Sequence, residues 1–60
     1  MTNEQAIEKL SASYGYVEMV RDGVFVAKWG DAFEMFRLNE SVLEHRVDVD
    51  FHTVKWEEDQ

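Results

Sequence analysis

Residues 14–29 read YGYVEMVRDGVFVAKW, and this stretch decides the predicted fold. Two runs rich in β-branched and aromatic residues flank Asp22-Gly23, and a tight turn needs a positive φ that glycine adopts without strain. The pattern predicts a β-hairpin whose strands cover residues 16–21 and 24–29.

The length of the turn predicts the register of the hairpin. With two turn residues, Met19 lies opposite Val26 and Val17 lies opposite Lys28. Both faces of the hairpin are then largely apolar. Such a sheet is either covered on both sides, or covered on one side and offered to a partner on the other.

A helix is predicted before the hairpin. Thr2 and Gln5 have the spacing of a capping box, in which each side chain accepts from the other residue's backbone amide. An apolar stripe at helical spacing follows, and Ser11, Ser13 and Gly15 then weaken helix propensity, so we expect the helix to end near Ser13. The stripe consists of Ala6, Ile7, Leu10 and Tyr14.

Residues 32–38 admit two interpretations. As a strand, they place Phe33, Met35 and Arg37 on one face; as a helix, they would be capped by Asp31. The hairpin-like Gly-Asp that precedes them favours the strand. Residues 39–41 then form a loop, and residues 41–44 resemble a second capping box that opens a short helical turn.

Strict alternation of apolar and polar residues follows from Arg46 to Trp56, which is typical of one half-buried strand. Asp48 and Asp50 would then share its wet face, roughly 6.5 Å apart because each residue rises about 3.3 Å. Residues 57–60 form an acidic tail that we expect to fray.

Together these elements predict one domain over residues 1–60 of the α+β class. Its N-terminal helix packs on a small antiparallel sheet of three to four strands, with the hairpin at Asp22-Gly23 and room for a short second helix. The chain has no cysteine, so neither a disulfide nor a thiolate metal site can stabilise it. The hydrophobic core must do so, with or without a partner subunit.

Charge narrows the classes of function. The net charge is −7, most of it in residues 31–60. Such a field repels nucleic acid and anionic membranes and attracts basic proteins. No apolar run approaches the ~20 residues that span a bilayer, so we expect a cytoplasmic protein.

Catalysis and metal binding find little support. His45 and His52 have no third ligand at a diagnostic interval, and the pair Ser41 and His45 has no orienting third group. We therefore expect no enzyme, no metal site and no cofactor.

The acidic residues of the second half form the candidate partner-binding set. With carboxylates spaced along a strand, this surface would suit a groove of Arg and Lys that normally holds phosphates. The alternative is that the charge only keeps a small protein soluble. The set consists of Glu40, Glu44, Asp48, Asp50, Trp56, Glu57, Glu58 and Asp59, with Trp29 as a further aromatic anchor.

In size, acidity and the Asp48-Val-Asp50 strand, the chain resembles the small inhibitors that phages and mobile elements encode against bacterial defence systems, anti-CRISPR proteins above all. No family motif carries this resemblance. It implies an acidic DNA-mimic decoy in the bacterial cytoplasm that blocks the basic nucleic-acid groove of a CRISPR effector or similar complex. The alternative is a small interaction module, or a homodimeric accessory subunit, that binds through an apolar sheet face. A lesser alternative is an antitoxin-like accessory protein with one basic partner.

Overall fold

The fold is one helix on a five-stranded antiparallel sheet, in a computed structural model that describes residues 1–50 and 52–59. The sheet is a meander in which each strand pairs with its neighbours in the sequence, in the order β1-β2-β3-β4-β5. The predicted α+β class is confirmed, with five strands instead of three to four. The elements are α1 (Asn3–Ser11), β1 (Tyr16–Arg21), β2 (Val24–Trp29), β3 (Ala32–Asn39), β4 (Val42–Asp48) and β5 (Val54–Glu58).

Helix α1 begins at the predicted capping box. The Gln5 amide donates to Thr2 Oγ1 at 3.1 Å, and the Thr2 amide donates to Gln5 Oε1 at 2.9 Å. The helix ends at Ser11, close to the expected position, and buries Ala6 and Leu10. A helix this short is marginal alone, so packing on the sheet must hold it.

The hairpin is present, but its predicted register is wrong by one residue. Met19 lies opposite Phe25 instead of Val26, and Val17 lies opposite Ala27 instead of Lys28. The pairing shifts between Met19 and Arg21, where a bulge adds one residue to β1. The alternation of apolar and polar residues does not reveal an extra residue in a strand. The register predicted from the turn length is therefore wrong beyond the bulge.

The first turn is tied to α1. Gly23 has φ +76°, the conformation for which glycine was expected there. The side chain of Asn3 donates to Asp22 Oδ1 at 2.6 Å and accepts from the Gly23 amide at 3.2 Å. The start of the helix therefore fixes the hairpin tip.

Strand β3 confirms the strand interpretation of residues 32–38. The predicted helical turn at residues 41–44 is wrong, because Glu40 and Ser41 form a tight turn with φ values of 52° and 67° and β4 starts at Val42. Neither residue is glycine, so neither residue type predicts two successive left-handed conformations.

The predicted single strand from Arg46 to Trp56 is also wrong. Strand β4 ends at Asp48 and β5 begins at Val54, with the amides of Val49 and Asp50 both donating to the Thr53 carbonyl. The expected position of Phe51 in this strand lies outside the described residues.

The acidic tail differs from its prediction as well. Glu57 and Glu58 belong to β5, and the Asp59 amide donates to the Leu43 carbonyl at 2.8 Å. These residues are held in the sheet where fraying was expected. Gln60 lies outside the described residues.

The core lies between α1 and one face of the sheet. Tyr14 packs edge-on against Phe36 at its border, with ring centroids 5.7 Å apart. Each buried strand residue points to the α1 side. The buried residues are Ala6, Leu10, Phe25, Ala27, Phe36 and Leu43.

Candidate functional site

The second face of the sheet has no layer over it among the described residues, and we call it the open face. The strand registers arrange its side chains in three rows that run from β1 to β5. The upper row is Arg21, Val24, Arg37, Glu44 and Glu58; the middle row is Glu18, Val26, Met35, Arg46 and Trp56; the lower row is Tyr16, Lys28, Phe33, Asp48 and Val54.

Apolar side chains on the open face meet solvent. Phe33, in the lower row on the central strand, is 65% exposed, and Tyr16 at the edge of the face is 51% exposed. Val26, Met35 and Trp56 on the same face are half-buried. Phe33 adjoins Met35 along β3 and Met35 lies opposite Val26, so these three form an apolar patch of the kind that is characteristic of interaction surfaces.

Arg37 is fixed on this face by two contacts. Its Nε donates to Glu44 Oε1 at 2.7 Å, and its guanidinium lies 4.5 Å from the centroid of the Trp56 ring. The Glu44 side chain is only 17% exposed, so the pair is partly shielded from water. A planar guanidinium that both stacks and hydrogen-bonds is rigid before any partner arrives.

Arg46 and Lys28 are oriented in a similar way. Arg46 donates from Nε to Asp48 Oδ1 at 2.9 Å and from Nη1 to Met35 Sδ at 3.5 Å. The Lys28 ammonium lies 5.4 Å from the centroid of the Tyr16 ring. The open face thus presents its cations at defined positions between apolar side chains.

Charge divides unequally between the open face and the rest of the molecule. The three rows contain four bases and four acids, so the open face is neutral overall. The remaining two bases and nine acids account for the full net charge of −7. They lie on α1, on the α1 side of the sheet, in the turns and just after β5: Lys9 and Lys55 with Glu4, Glu8, Asp22, Asp31, Glu34, Glu40, Asp50, Glu57 and Asp59.

The predicted partner-binding residues do not form one surface. Glu44, Asp48, Trp56 and Glu58 lie on the open face, whereas Glu57 lies on the α1 side. Glu40 is in the β3–β4 turn, Asp50 is in the β4–β5 loop and Asp59 follows β5. Several of the acids are also in ion pairs: Glu44 with Arg37, Asp48 with Arg46, Glu57 with Lys55, and Asp59 with Lys9.

The prediction that Asp48 and Asp50 share one face of a strand is wrong. Asp50 does not continue the strand of Asp48; its Oδ1 accepts from the amides of His52 and Thr53, each at 2.8 Å. The hydrogen bond from His52, followed by those from Thr53, lowers the pKa of Asp50. Asp50 therefore organises the loop, and the two carboxylates do not repeat along one strand.

A polar cluster lies on the α1 side of the sheet. The Tyr14 hydroxyl donates to Glu34 Oε2 at 2.9 Å. Desolvation first, and then that hydrogen bond and the charges of Glu34 and Asp59, raise the pKa of Tyr14 to about 12. Tyr14 therefore stays neutral at ordinary pH and acts as a hydrogen-bond donor.

Asp59 links two bases near the end of β5. Its carboxylate lies 3.7 Å from Lys9 Nζ and 3.5 Å from His45 Nδ1. The contact to His45 lacks hydrogen-bond geometry, so that nitrogen has no hydrogen-bond partner among the described residues. The cluster joins α1 to the last strand.

Metal ligands and a Ser–His pair are the other kinds of site that the sequence raised. Among residues 1–50 and 52–59, no group of three or more His, Cys, Asp or Glu side chains could hold a metal ion. Ser41 lies in a turn and His45 lies in β4, so the two do not share a helical turn. No helix in the described part of the chain is long and apolar enough to cross a membrane.

Sequence reasoning assigned Phe33, Met35 and Arg37 to one face but did not single them out as a site. Their alternation along β3 indicated that they share a face. It did not indicate which face of the sheet α1 covers. Searches against protein-family models, curated proteins and solved structures find no significant match to this chain.

Proposed function

We propose that this protein is a small interaction module that binds a protein partner through the open face of its sheet. One observation carries the proposal: every buried residue of the sheet points toward α1, while large apolar side chains on the other face meet solvent. Burying them against a partner is favourable by about 25 cal/mol for each Å² of apolar area.

The composition of the open face suits this role. Trp, Tyr and Arg are the residue types that contribute most at protein interfaces, and the face contains Tyr16, Trp56 and Arg37. Its four bases are balanced by four acids, so association gains little from long-range attraction. Binding through this face should therefore tolerate salt.

Two exposed aromatic residues provide a matched test. Phe33 on the open face is 65% exposed, and Trp29 on the α1 side is 68% exposed. Tagged wild type, Phe33→Ser and Trp29→Ser proteins are used to capture partners from a bacterial lysate that also contains the untagged wild-type chain, at low and high salt, with quantitative mass spectrometry. We expect a partner that survives high salt, is lost with Phe33→Ser and is retained with Trp29→Ser. Equal capture by both variants contradicts the proposal.

A second candidate is the anti-defence inhibitor, an acidic DNA-mimic decoy that occupies the basic nucleic-acid groove of a CRISPR effector or similar complex. The observation that favours it is the excess of nine acids over two bases away from the open face. Glu40 at a turn and Asp50 in a loop are both exposed, so basic side chains can reach them. The decoy would use these surfaces instead of the sheet.

The two candidates predict opposite results for the same variants. For the decoy, Glu40→Lys with Asp50→Lys should relieve inhibition of DNA binding by the effector, and inhibition should weaken steeply with salt. Phe33→Ser should leave such inhibition intact. Inhibition is measured by mobility shift of a DNA target with the effector present. The interaction module predicts the reverse sensitivity in partner capture. Inhibition retained by the doubly reversed variant rules out the decoy.

A further inference from the structure

We infer that the partner of the open face is a second copy of this chain, packed face to face about a two-fold axis that runs parallel to the strands over β3. This inference rests on the proposed function, since it names the occupant of the same surface. It is carried by the positions of the charges in the three rows of the open face.

A two-fold axis parallel to the strands sets β1 against β5 of the second copy, sets β2 against β4, and keeps each row facing itself. In the lower row, Lys28 then meets Asp48 of the other copy. In the upper row, Arg21 meets Glu58 of the other copy. Each contact occurs twice, so two kinds of opposite-charge pair give four such pairs in the dimer.

The same axis brings apolar side chains together at its centre. Phe33 and Met35 lie on β3 and therefore face their own counterparts, and Tyr16 faces Val54 of the other copy. Charged side chains flank this apolar centre, since the middle row sets Arg46 against Val26 and Glu18 against Trp56 of the other copy.

The other in-plane axis, perpendicular to the strands, fits poorly. It keeps each strand against its own counterpart and reverses the rows, so Glu18 and Arg46 each meet their own counterpart in the second copy. Glu18 makes no ion pair among the described residues, so that charge is not compensated within the subunit. Like charges placed directly opposite each other oppose association. The charge pattern therefore selects the axis parallel to the strands.

One like-charge contact remains under the chosen axis, because the two copies of Arg37 approach each other over β3. Each is already paired with its own Glu44 at 2.7 Å and stacked on its own Trp56 at 4.5 Å. Its charge is thus compensated within the subunit. Aligned sheets also cross at about 30°, which displaces the outer strands by a few ångströms, and the long side chains of Lys28 and Arg21 span that distance.

The size of the open face sets the expected affinity. Five strands at about 4.8 Å and five residues at about 3.3 Å give a footprint of roughly 24 Å by 17 Å. This is about half of the ~800 Å² per partner of a standard interface, so we expect a weak dimer, and the test must reach high protein concentration.

The test uses sedimentation equilibrium of the whole chain, from about 1 μM to about 1 mM. Lys28→Glu alone places two acids together twice per dimer, and Asp48→Lys alone places two bases together twice. Each should raise the dissociation constant at least about tenfold. A mixture of the two variants should restore association as a heterodimer, because both of its contacts then join opposite charges.

Lys55→Glu and Glu57→Lys are matched controls, since they make the same charge changes on the α1 side of β5 and should leave the dissociation constant unchanged. Circular dichroism checks that every variant is folded. A dimer whose affinity ignores Lys28→Glu and Asp48→Lys, or variants that do not associate when mixed, overturns the inference. A wild type that stays monomeric at about 1 mM also overturns it, while the comparison of Phe33→Ser with Trp29→Ser decides the proposed function separately.

Discussion

Replacing Phe36 and Phe33 with alanine, one at a time, should separate the two faces of β3. Both are phenylalanines on the same strand, but Phe36 is 1% exposed beneath α1 and Phe33 is 65% exposed on the open face. The substitutions remove identical atoms from nearly adjacent positions. Their difference in stability therefore measures which face holds the core.

The expected magnitudes differ severalfold. Phe36→Ala should lower the free energy of unfolding by about 3–5 kcal/mol, because it leaves a cavity and removes the edge contact with Tyr14. Phe33→Ala should change it by less than about 0.5 kcal/mol. A 60-residue chain has roughly 3–9 kcal/mol in total, so the first variant loses a third of its stability or more.

Urea unfolding followed by tryptophan fluorescence and far-ultraviolet circular dichroism measures both values. The protein is kept at about 1 μM, so that self-association does not add to the stability of the wild type. If Phe36→Ala is unfolded in buffer, Phe36→Leu supplies a smaller loss on the order of 1 kcal/mol. A loss for Phe33→Ala equal to that for Phe36→Ala would refute the assignment of the core to the α1 side.

Three further outcomes follow from local contacts. Asn3→Ala removes both hydrogen bonds to the Asp22–Gly23 turn and should cost about 1–2 kcal/mol in urea unfolding; a cost below about 0.3 kcal/mol would show that the helix does not hold the turn. The pKa of Tyr14 is raised to about 12 by burial and by Glu34. The Tyr14 contribution to stability should thus be complete below pH 10 and decline as pH rises from about 10 to 12, a decline that Tyr14→Phe should remove in pH-dependent unfolding. The pKa of Asp50 is lowered by backbone amides of its own loop, so its contribution should be present above about pH 4 and lost as pH falls through the folded pKa, and Asp50→Asn should flatten that acid limb if the loop is formed in solution.

The parts of the fold that local chemistry determines were predictable. The Thr2 capping box, the Asp22-Gly23 turn and the strand over residues 32–38 each depend on side chains within a few positions of one another. The errors arose where a backbone event leaves no residue signature. The bulge beside Val20 and the left-handed pair Glu40 and Ser41 are of this kind.

The prediction for the β4–β5 region was wrong for a different reason. Alternation continues from Arg46 past the end of the strand, so periodicity alone joined a strand, a loop and the next strand. Asp50 resembled a strand carboxylate, although its side chain caps backbone amides in the loop. Whether these amides bond to a neighbouring strand or to the Asp50 side chain depends on a competition between the two kinds of hydrogen bond. The sequence pattern does not show which of them forms.

Only part of the candidate site could be predicted from the sequence. Two apolar faces were expected for the hairpin, but which face α1 would cover depends on tertiary packing. The acids attracted attention because of their number, whereas Glu44 and Asp48 are already held by arginines. An ion pair across two strands appears only once their register is known, which is why the neutral character of the open face was missed.

The meander also leads us to expect a particular order of assembly. Each strand pairs with the strand next to it in the sequence, so most contacts close short loops and folding should be fast for a sheet protein. The exceptions are contacts that span the chain, such as Lys9 Nζ donating to the Asp59 carbonyl 50 residues away. The sheet can therefore grow strand by strand from its N-terminal hairpin, and the contact between α1 and the end of β5 closes last.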